Sequence, residues 1–418
     1  MDNLIVNAAL YCVTTAYFLY RYRKLNVYTM LWCGYTVFQL CGPFCVRMNL
    51  HLTYDVNLGY KIPLHVLLCQ YFFTHLLLLP FKNFDPRKME LRNINSNVFK
   101  IIIYLSLALF AFVDVIRFGE LVITASTGFG AAYDTAHDGI DPFQYGPIIG
   151  KIRAFGSLYC SMFQPFLALY FFQRLAEKKG MVWWNCFALL VTFLPPILTG
   201  AAFGSRGSLF FSFLKIVLYY FLFKDAVPLR IKRIIAAAGL CFVGGLVCAS
   251  AMITSGRVDD GTIVENSVTS NIIRYFGEPP ANNYFYYDKV ANHPMGIRFY
   301  PEFSDGVESK YSNEREKYSY WSRFTKTNIA LFKNFWLDCY VEFGMIGSWI
   351  YGVLFLWLWR KIVFRYCYKI YIYPLVCYYY SNIAVFGIFG HGFTGSGTHM
   401  MFLYMIVLCL FVKKITRS

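Results

Sequence analysis

The chain has 418 residues, 57% of them hydrophobic and 20% aromatic, and a mean hydropathy of +0.45. That composition excludes a water-soluble domain of ordinary make-up and implies an integral membrane protein. The net charge of +16 gathers beside apolar segments, where it faces anionic lipid; nothing in its pattern suggests nucleic acid.

A helix needs about 20 apolar residues to cross the hydrocarbon core, and eleven segments qualify, near 3–20, 27–46, 62–81, 98–116, 147–172, 181–203, 208–223, 234–253, 334–358, 370–390 and 399–412. Asp2 precedes the first segment and Arg21 and Arg23 follow it, the reverse of a cleavable signal, so a retained helix is expected. Alternate connections carry the basic residues: Arg21, Arg23 and Lys24; Lys82 to Arg92; Arg174 to Lys179; Lys224 to Arg233; Arg360 to Lys369; and the tail from Lys413. The other short connections hold only Arg47, Lys61, Arg117 and Arg206. The bias of cations toward the cytoplasm then places the N-terminus outside, the C-terminus in the cytoplasm and Arg206 outside. The expected organisation is an all-α polytopic bundle: helices one to eight over 1–253, a large outer loop or cap over 254–333, and helices nine to eleven over 334–418.

Cytoplasmic connections are too short to fold alone, which leaves water-facing chemistry to two outer stretches. Residues 117–146 are Gly-rich and polar. Residues 254–333 hold Pro, Asn and Gly that argue against long helices and an aromatic density that argues against disorder. There is no Gly-rich loop ending in GK[ST], no GxGxxG after a strand and no DxD triplet, so a metal-dependent enzyme using a nucleotide sugar is not expected. All 13 cysteines lie in or at apolar segments, and neither a disulfide, a zinc site nor any cofactor is expected. His293, His391 and His399 have no metal-ligand spacing and read as satisfied loop histidines. "DTAHDGID" at 134–141 lacks the ligand spacing of a calcium loop.

Four sets of residues could carry chemistry. Arg206 stands in "LTGAAFGSRGSLFFSFL" (198–214), between glycines and at the start of a helix, where anions are favoured; it is either a snorkelling anchor or a bidentate phosphate ligand. Arg153 enters the fifth segment from outside, with Asp114 and Glu120 as available partners. Asn334, Asp338 and Glu342 recur every four residues, which puts them on one helical face; the carboxylates serve either as a general base or as counter-ions to the arginines. Tyr275, Phe276, Tyr284, Phe285, Tyr286, Tyr287, Phe299 and Tyr300 crowd one part of the long loop, as a groove for sugar faces or as an interfacial belt.

Three stretches, "GSRG" at 204–207, "YFGEPPANNY" at 275–284 and "TNIALFKNFWLDCYVEFGMIG" at 327–347, together with the many helices and one large outer loop, resemble the Wzy-type O-antigen polymerases. That family commonly has Asp before the Phe-Gly pair where this chain has Glu342. The resemblance implies a GT-C-like, metal-independent glycosyltransferase of lipopolysaccharide biosynthesis in the bacterial inner membrane, joining undecaprenyl-diphosphate-linked oligosaccharide repeat units on the periplasmic face. It also implies a chain-length regulator protein as partner. On this resemblance Arg206, Arg153 and Arg274 hold the diphosphate, Glu342 or Glu278 accepts the proton, and Tyr275, Asn283, Tyr284 and Asp338 hold sugar. The competing expectations are an O-antigen ligase, which hands the same glycan to a lipid core, and a lipid-linked oligosaccharide flippase. A transporter would show internal repeats and midplane charges, and this sequence shows no repeat.

Overall fold

The computed structural model describes residues 2–23, 25–48, 62–84, 97–137, 141–143, 145–177, 179–223, 227–235, 237, 244, 268–303, 314–329 and 332–417. Its regular elements are helices: α1 (Asp2–Tyr22), α2 (Val27–Arg47), α3 (Leu64–Leu78), α4 (Asn97–Thr127), α5 (Phe129–His137), α6 (Pro147–Ala176), α7 (Val182–Ala202), α8 (Arg206–Phe223), α9 (Val268–Ala281), α10 (Asn283–Lys289), α11 (Glu314–Thr325), α12 (Phe335–Ile362), α13 (Tyr373–Tyr378) and α14 (Ser396–Arg417). Seven stretches are long and apolar enough to cross a membrane: Asn3–Tyr22, Leu64–Phe81, Asn97–Thr127, Pro147–Leu175, Val182–Ala202, Phe335–Tyr366 and Ser396–Lys414. The protein is therefore an all-helical, multi-pass membrane protein. Helices α2 and α8 coincide with two further expected segments; most of 234–253 lies outside the described residues.

The chain forms two compact units, neither of them continuous in sequence. The first comprises Met1–Phe84, Ser267–Arg365 and Tyr378–Met400. In it α1, α2 and α3 pack with hydrogen bonds buried between them: Asn7 Nδ2 to Gln39 Oε1 at 2.7 Å, Tyr11 to Thr74 at 2.8 Å and Thr15 to Thr36 at 2.7 Å. Such pairs hold helices together where lipid offers no competing partner. Helix α9, from the long loop, lies against α2. A Cβ added at Gly277 would stand 2.5 Å from the Cys41 carbonyl oxygen, and one at Gly42 would stand 2.9 Å from Pro280 Cγ. Small residues on both helices permit this approach, and Phe38 and Phe276 meet edge to face at 4.7 Å beside it. The loop was expected to resist long helices; α9 forms because one face of it is covered by α2, and Pro279 and Pro280 fall only in its last turn.

The segment expected as a straight helix over 370–390 is instead broken into a 3-10 turn (Ile370–Ile372), α13, a π-helical stretch (Tyr379–Val385) and a second 3-10 turn (Phe386–Ile388). Hydrogen bonds tie it to neighbouring helices: Tyr35 of α2 donates to the Ala384 carbonyl at 2.7 Å, and the segment's own Tyr379 donates to the Leu77 carbonyl of α3 at 2.9 Å. Irregular backbone is tolerated at such depth when protein groups satisfy it.

The second unit comprises Asp85–Asn266, Tyr366–Cys377 and Met401–Ser418. Helices α4 and α7 pack with Thr124 Oγ1 donating to the Ala202 carbonyl at 2.7 Å, and Gln164 of α6 donates to the Thr192 carbonyl at 3.0 Å. The polar outer stretch expected from residue 117 begins later, because α4 runs on to Thr127 and stops at Gly128, whose φ is +106°. Arg117 and Glu120, one turn apart, bury each other's charge in that extension.

Candidate functional site

In the first unit the polar residues gather where α12 begins. Asn334 caps the N-terminus of the helix, accepting from Leu337 N at 2.9 Å, so it opens the helix instead of sharing the carboxylate face. Asp338 and Glu342 do share a face, and both are buried. Their common partner is Arg298, which sequence reading missed. Its Nη2 lies 2.5 Å from Asp338 Oδ1 and its Nε lies 2.9 Å from Glu342 Oε2. Burial opposes the charge of Arg298, but the two carboxylates outweigh it and raise its pKa above the ordinary arginine value. Asp338 Oδ2 accepts from His391 N at 2.9 Å. Lys333 Nζ is 3.9 Å from Asp338 Oδ1; burial lowers the Lys333 pKa to about 8, against the pull of Asp338.

Glu342 is saturated. Its Oε1 accepts from Gly296 N at 2.9 Å and Arg298 N at 3.0 Å, and Oε2 is held by Arg298. Its backbone carbonyl accepts from Met295 N at 2.8 Å, a bond made possible by Gly344, whose φ of 68° and ψ of −172° interrupt α12. The geometry is that of a counter-ion clamp that fastens the long loop to α12. A carboxylate that already accepts from three donors, one of them a guanidinium, is poorly placed to take a proton from a substrate.

The remaining expected residues of this unit are engaged as well. Arg274 Nε lies 3.8 Å from Glu278 Oε2, one turn away on α9, and Glu278 is 2% exposed. The Tyr275 ring packs against Phe332 and Phe389, each at 5.2 Å. Asn283 sits in a buried ladder, donating to Gln70 Oε1 and accepting from Asn334 Nδ2, both at 2.6 Å. Asn283 is buried and Tyr275 half-buried, so both of these expected sugar-binding side chains pack within the unit. The side chain of Tyr284 lies outside the described residues.

Two histidines read as loop residues are placed where chemistry is possible. His391 Nδ1 accepts from Phe393 N at 3.0 Å, which assigns the hydrogen to Nε2; Nε2 donates to Tyr351 at 2.9 Å, and the hydroxyls of Tyr351 and Tyr300 share a hydrogen bond of 2.9 Å. Burial lowers the His391 pKa to about 3. His399, in the first turn of α14, has Nδ1 2.8 Å from Glu302 Oε1. A carboxylate can only accept there, so Nδ1 carries a hydrogen and the neutral imidazole has its lone pair on Nε2, an atom buried with no hydrogen-bond partner among the described residues. The ring stacks on Tyr300 at 5.2 Å and 15°.

In the second unit Arg153 touches two carboxylates, Glu120 Oε1 at 2.7 Å and Asp141, and its guanidinium lies 5.4 Å from the ring centres of Phe143 and Tyr145 and 5.8 Å from that of Phe203. Arg117 and Arg153 thus match Glu120 and Asp141 in charge. Asp114, offered as a partner for Arg153, is buried with neither oxygen hydrogen-bonded. Arg206 opens α8 as expected, after Gly204, whose φ is +58° and whose added Cβ would stand 2.6 Å from the Phe129 carbonyl oxygen. The Arg206 side chain lies outside the described residues, as does part of "DTAHDGID". Of the three arginines expected to hold diphosphate, Arg153 and Arg206 belong to this unit and Arg274 to the other. No group of three metal-ligating side chains occurs among the described residues.

Comparison with protein-family models, with curated proteins and with solved structures gives no match.

Proposed function

We propose that the protein is a lipid-linked oligosaccharide polymerase, a GT-C-like glycosyltransferase of eleven spans whose chemistry takes place at the periplasmic face of a bacterial inner membrane. In this reading α2, α8, 234–253 and the broken 370–390 segment join the seven apolar stretches as spans. The observation that carries it is the fastening of the long outer loop onto α12 by Arg298, Asp338 and Glu342, which brings a carboxylate-oriented histidine, His399, beside the aromatic residues Tyr300 and Phe393. Orientation of an imidazole by a carboxylate, with the other nitrogen left as base, is the recurring design of a general base.

In the proposed step an acceptor hydroxyl oxygen bonds to the anomeric carbon of the growing glycan as the bond from that carbon to the lipid diphosphate breaks. The bonding pair leaves with the diphosphate, and the hydroxyl proton passes to His399 Nε2. Glu302 holds the resulting imidazolium. This assigns to His399 the role that the resemblance gave to Glu342 or Glu278. The resemblance assigns the departing diphosphate to Arg206, with Arg153 and Arg274, as preorganised cations for developing charge.

The test is the surface-glycan ladder of a strain lacking the gene, complemented at matched abundance. Wild type restores long chains, and Arg206→Lys, Arg206→Ala and His399→Gln do not. Loss of one charged hydrogen bond of roughly 1.5–3 kcal/mol slows transfer by about ten- to over a hundredfold. A null strain that retains long chains refutes the polymerase; one with no repeat on its lipid core identifies a ligase. Full-length chains from His399→Gln, with wild type also active, remove the histidine and leave the polymerase standing.

A further inference from the structure

The long loop meets α12 at a turn whose exposed side chains are apolar. Its backbone is pinned to the start of the helix: His293 Nδ1 donates to the Val341 carbonyl at 3.0 Å, Met295 N to the Glu342 carbonyl at 2.8 Å and Gly296 N to Glu342 Oε1 at 2.9 Å. With the backbone held inward, Met295 and Ile297 are left 70% and 41% exposed. Met295 has a φ of +58° and Gly296 of +101°. Glycine, asparagine and aspartate adopt that left-handed backbone most readily and are the usual residues of a turn in water. A methionine there carries the strain and buries little of itself against the protein.

Two membrane-crossing stretches fix the depth of this turn. One of them begins at Leu64 on α3, and the other includes α12. The Trp349 ring of α12 lies 4.9 Å from Phe72 and 5.0 Å from Phe73 of α3. Counted back from there by about 12 Å at 1.5 Å per residue, α3 reaches Leu64 and α12 reaches the stub that carries Glu342. Hydrogen bonds tie the two starts together: His65 Nε2 is 2.9 Å from the Tyr287 hydroxyl, and the Tyr340 hydroxyl donates to the Tyr287 carbonyl at 3.2 Å. From this level onward the pair turns exposed apolar side chains outward, Leu64 and Leu68 on α3, Ile346 and Ile350 on α12. In an unbroken helix the Glu342 carbonyl would accept from Ile346 N; Met295 N accepts that role, which sets the turn beside the first turn of the shaft, where Ile346 is 76% exposed. The apolar tip therefore adjoins the surface that lipid covers, and in water it would leave two large side chains wet.

We infer that the turn over 294–297 is seated in the bilayer, with Met295 and Ile297 dipping among the first carbons of the acyl chains. The partner of this surface is lipid, and the loop is thereby held to α12 from the membrane side as the Arg298 clamp holds it from within. The inference uses only the membrane-crossing character of α3 and α12, so it stands or falls apart from the enzymatic reading.

The experiment uses the full chain in nanodiscs of phosphatidylethanolamine and phosphatidylglycerol. A nitroxide-bearing non-natural residue replaces Met295, Ile297 or Ile350 in turn, which leaves the 13 cysteines untouched. Power saturation then compares relaxation by oxygen, which concentrates in lipid, with relaxation by a water-soluble nickel chelate. Labels at 295 and 297 should favour oxygen, as the label at 350 does and as the free label in buffer does not. A label that favours nickel puts the turn in water, and one shielded from both puts it under a second copy or another protein; either result at either position overturns the inference. Met295→Asn is the check that needs no label. Asparagine suits the left-handed backbone better than methionine, so in water the variant should unfold at the wild-type temperature or above it. In lipid it gives up apolar contact and gains an amide without a partner, and the unfolding midpoint in nanodiscs should fall by about 2–4 °C. A midpoint unchanged or raised likewise overturns the inference.

Discussion

Replacing Arg298 by Met should be the most damaging single change in the first unit. The substitution keeps the length of the stem and removes the guanidinium that lies 2.5 Å from Asp338 and 2.9 Å from Glu342. Both carboxylates are buried and stand one helical turn apart, so the variant leaves them facing each other with only Lys333, 3.9 Å from Asp338, as counter-charge. Breaking a buried ion pair by removing one partner costs about 3–5 kcal/mol, and the repulsion between the two anions pushes the loss toward the upper figure. For a unit of about 200 residues, at about 2–4 °C per kcal/mol, the midpoint of thermal unfolding should fall by roughly 10–20 °C. The assay is exposure of buried thiols, Cys339 among them, to a thiol-reactive dye during heating in detergent. Arg298→Lys should fall between, since a single ammonium reaches one carboxylate and lacks the fork. Adding Asp338→Asn and Glu342→Gln to Arg298→Met should recover most of the loss, because neutral amides need no counter-ion. A midpoint unchanged in Arg298→Met, or a triple variant no more stable than the single one, would refute the clamp.

Two further outcomes follow from the same structure. Gly277→Ala must part α9 from α2, since its Cβ would meet backbone at 2.5 Å, and should cost about 1–3 kcal/mol; Gly34→Ala on α2, with nothing within 4 Å of its added Cβ, should leave the unfolding midpoint unchanged. His391 has its pKa lowered from 6.5 to about 3 in the folded chain, so the unfolded chain binds more protons between those values and stability must fall as pH drops from 6.5 toward 3. Comparing unfolding midpoints at pH 7 and 4.5 for wild type and His391→Gln checks this, with a smaller drop expected in the variant.

Asp338 and Glu342 were legible in the sequence because helix periodicity is local: four residues of spacing put them together in any α-helix. Arg298 was not legible, although two buried carboxylates demand a cation, because the long loop offers several arginines and spacing does not choose between loops. The same limit hid the Glu302 and His399 pair, whose members are 97 residues apart in the chain. Hydropathy found the apolar stretches but could not see that 370–390 breaks, since hydrophobicity is blind to whether a neighbouring hydroxyl such as that of Tyr35 stands ready to satisfy an opened turn. Aromatic crowding at 275–300 was legible as composition only, because a ring in a small core and a ring in a groove have the same composition. Asn283 shows the same limit: an amide suited to sugar hydroxyls is equally suited to a buried ladder with Gln70 and Asn334.

Gly344 divides α12 mechanically. From Met345 to Ile362 the helix is a shaft of roughly 27 Å at 1.5 Å per residue, close to the hydrocarbon thickness of about 30 Å. The carboxylates that grip Arg298 lie on the other side of the break, on a short stub pinned to the loop through Met295, Gly296 and Arg298. A helix that must adapt to a thicker or thinner bilayer does so by tilting, and the non-helical backbone at Gly344 separates the shaft from the stub that carries the clamp. Tyr351, on the shaft, reaches back to His391 and Tyr300, so a tilt of the shaft would be felt at that hydrogen-bonded chain before it reached the carboxylates.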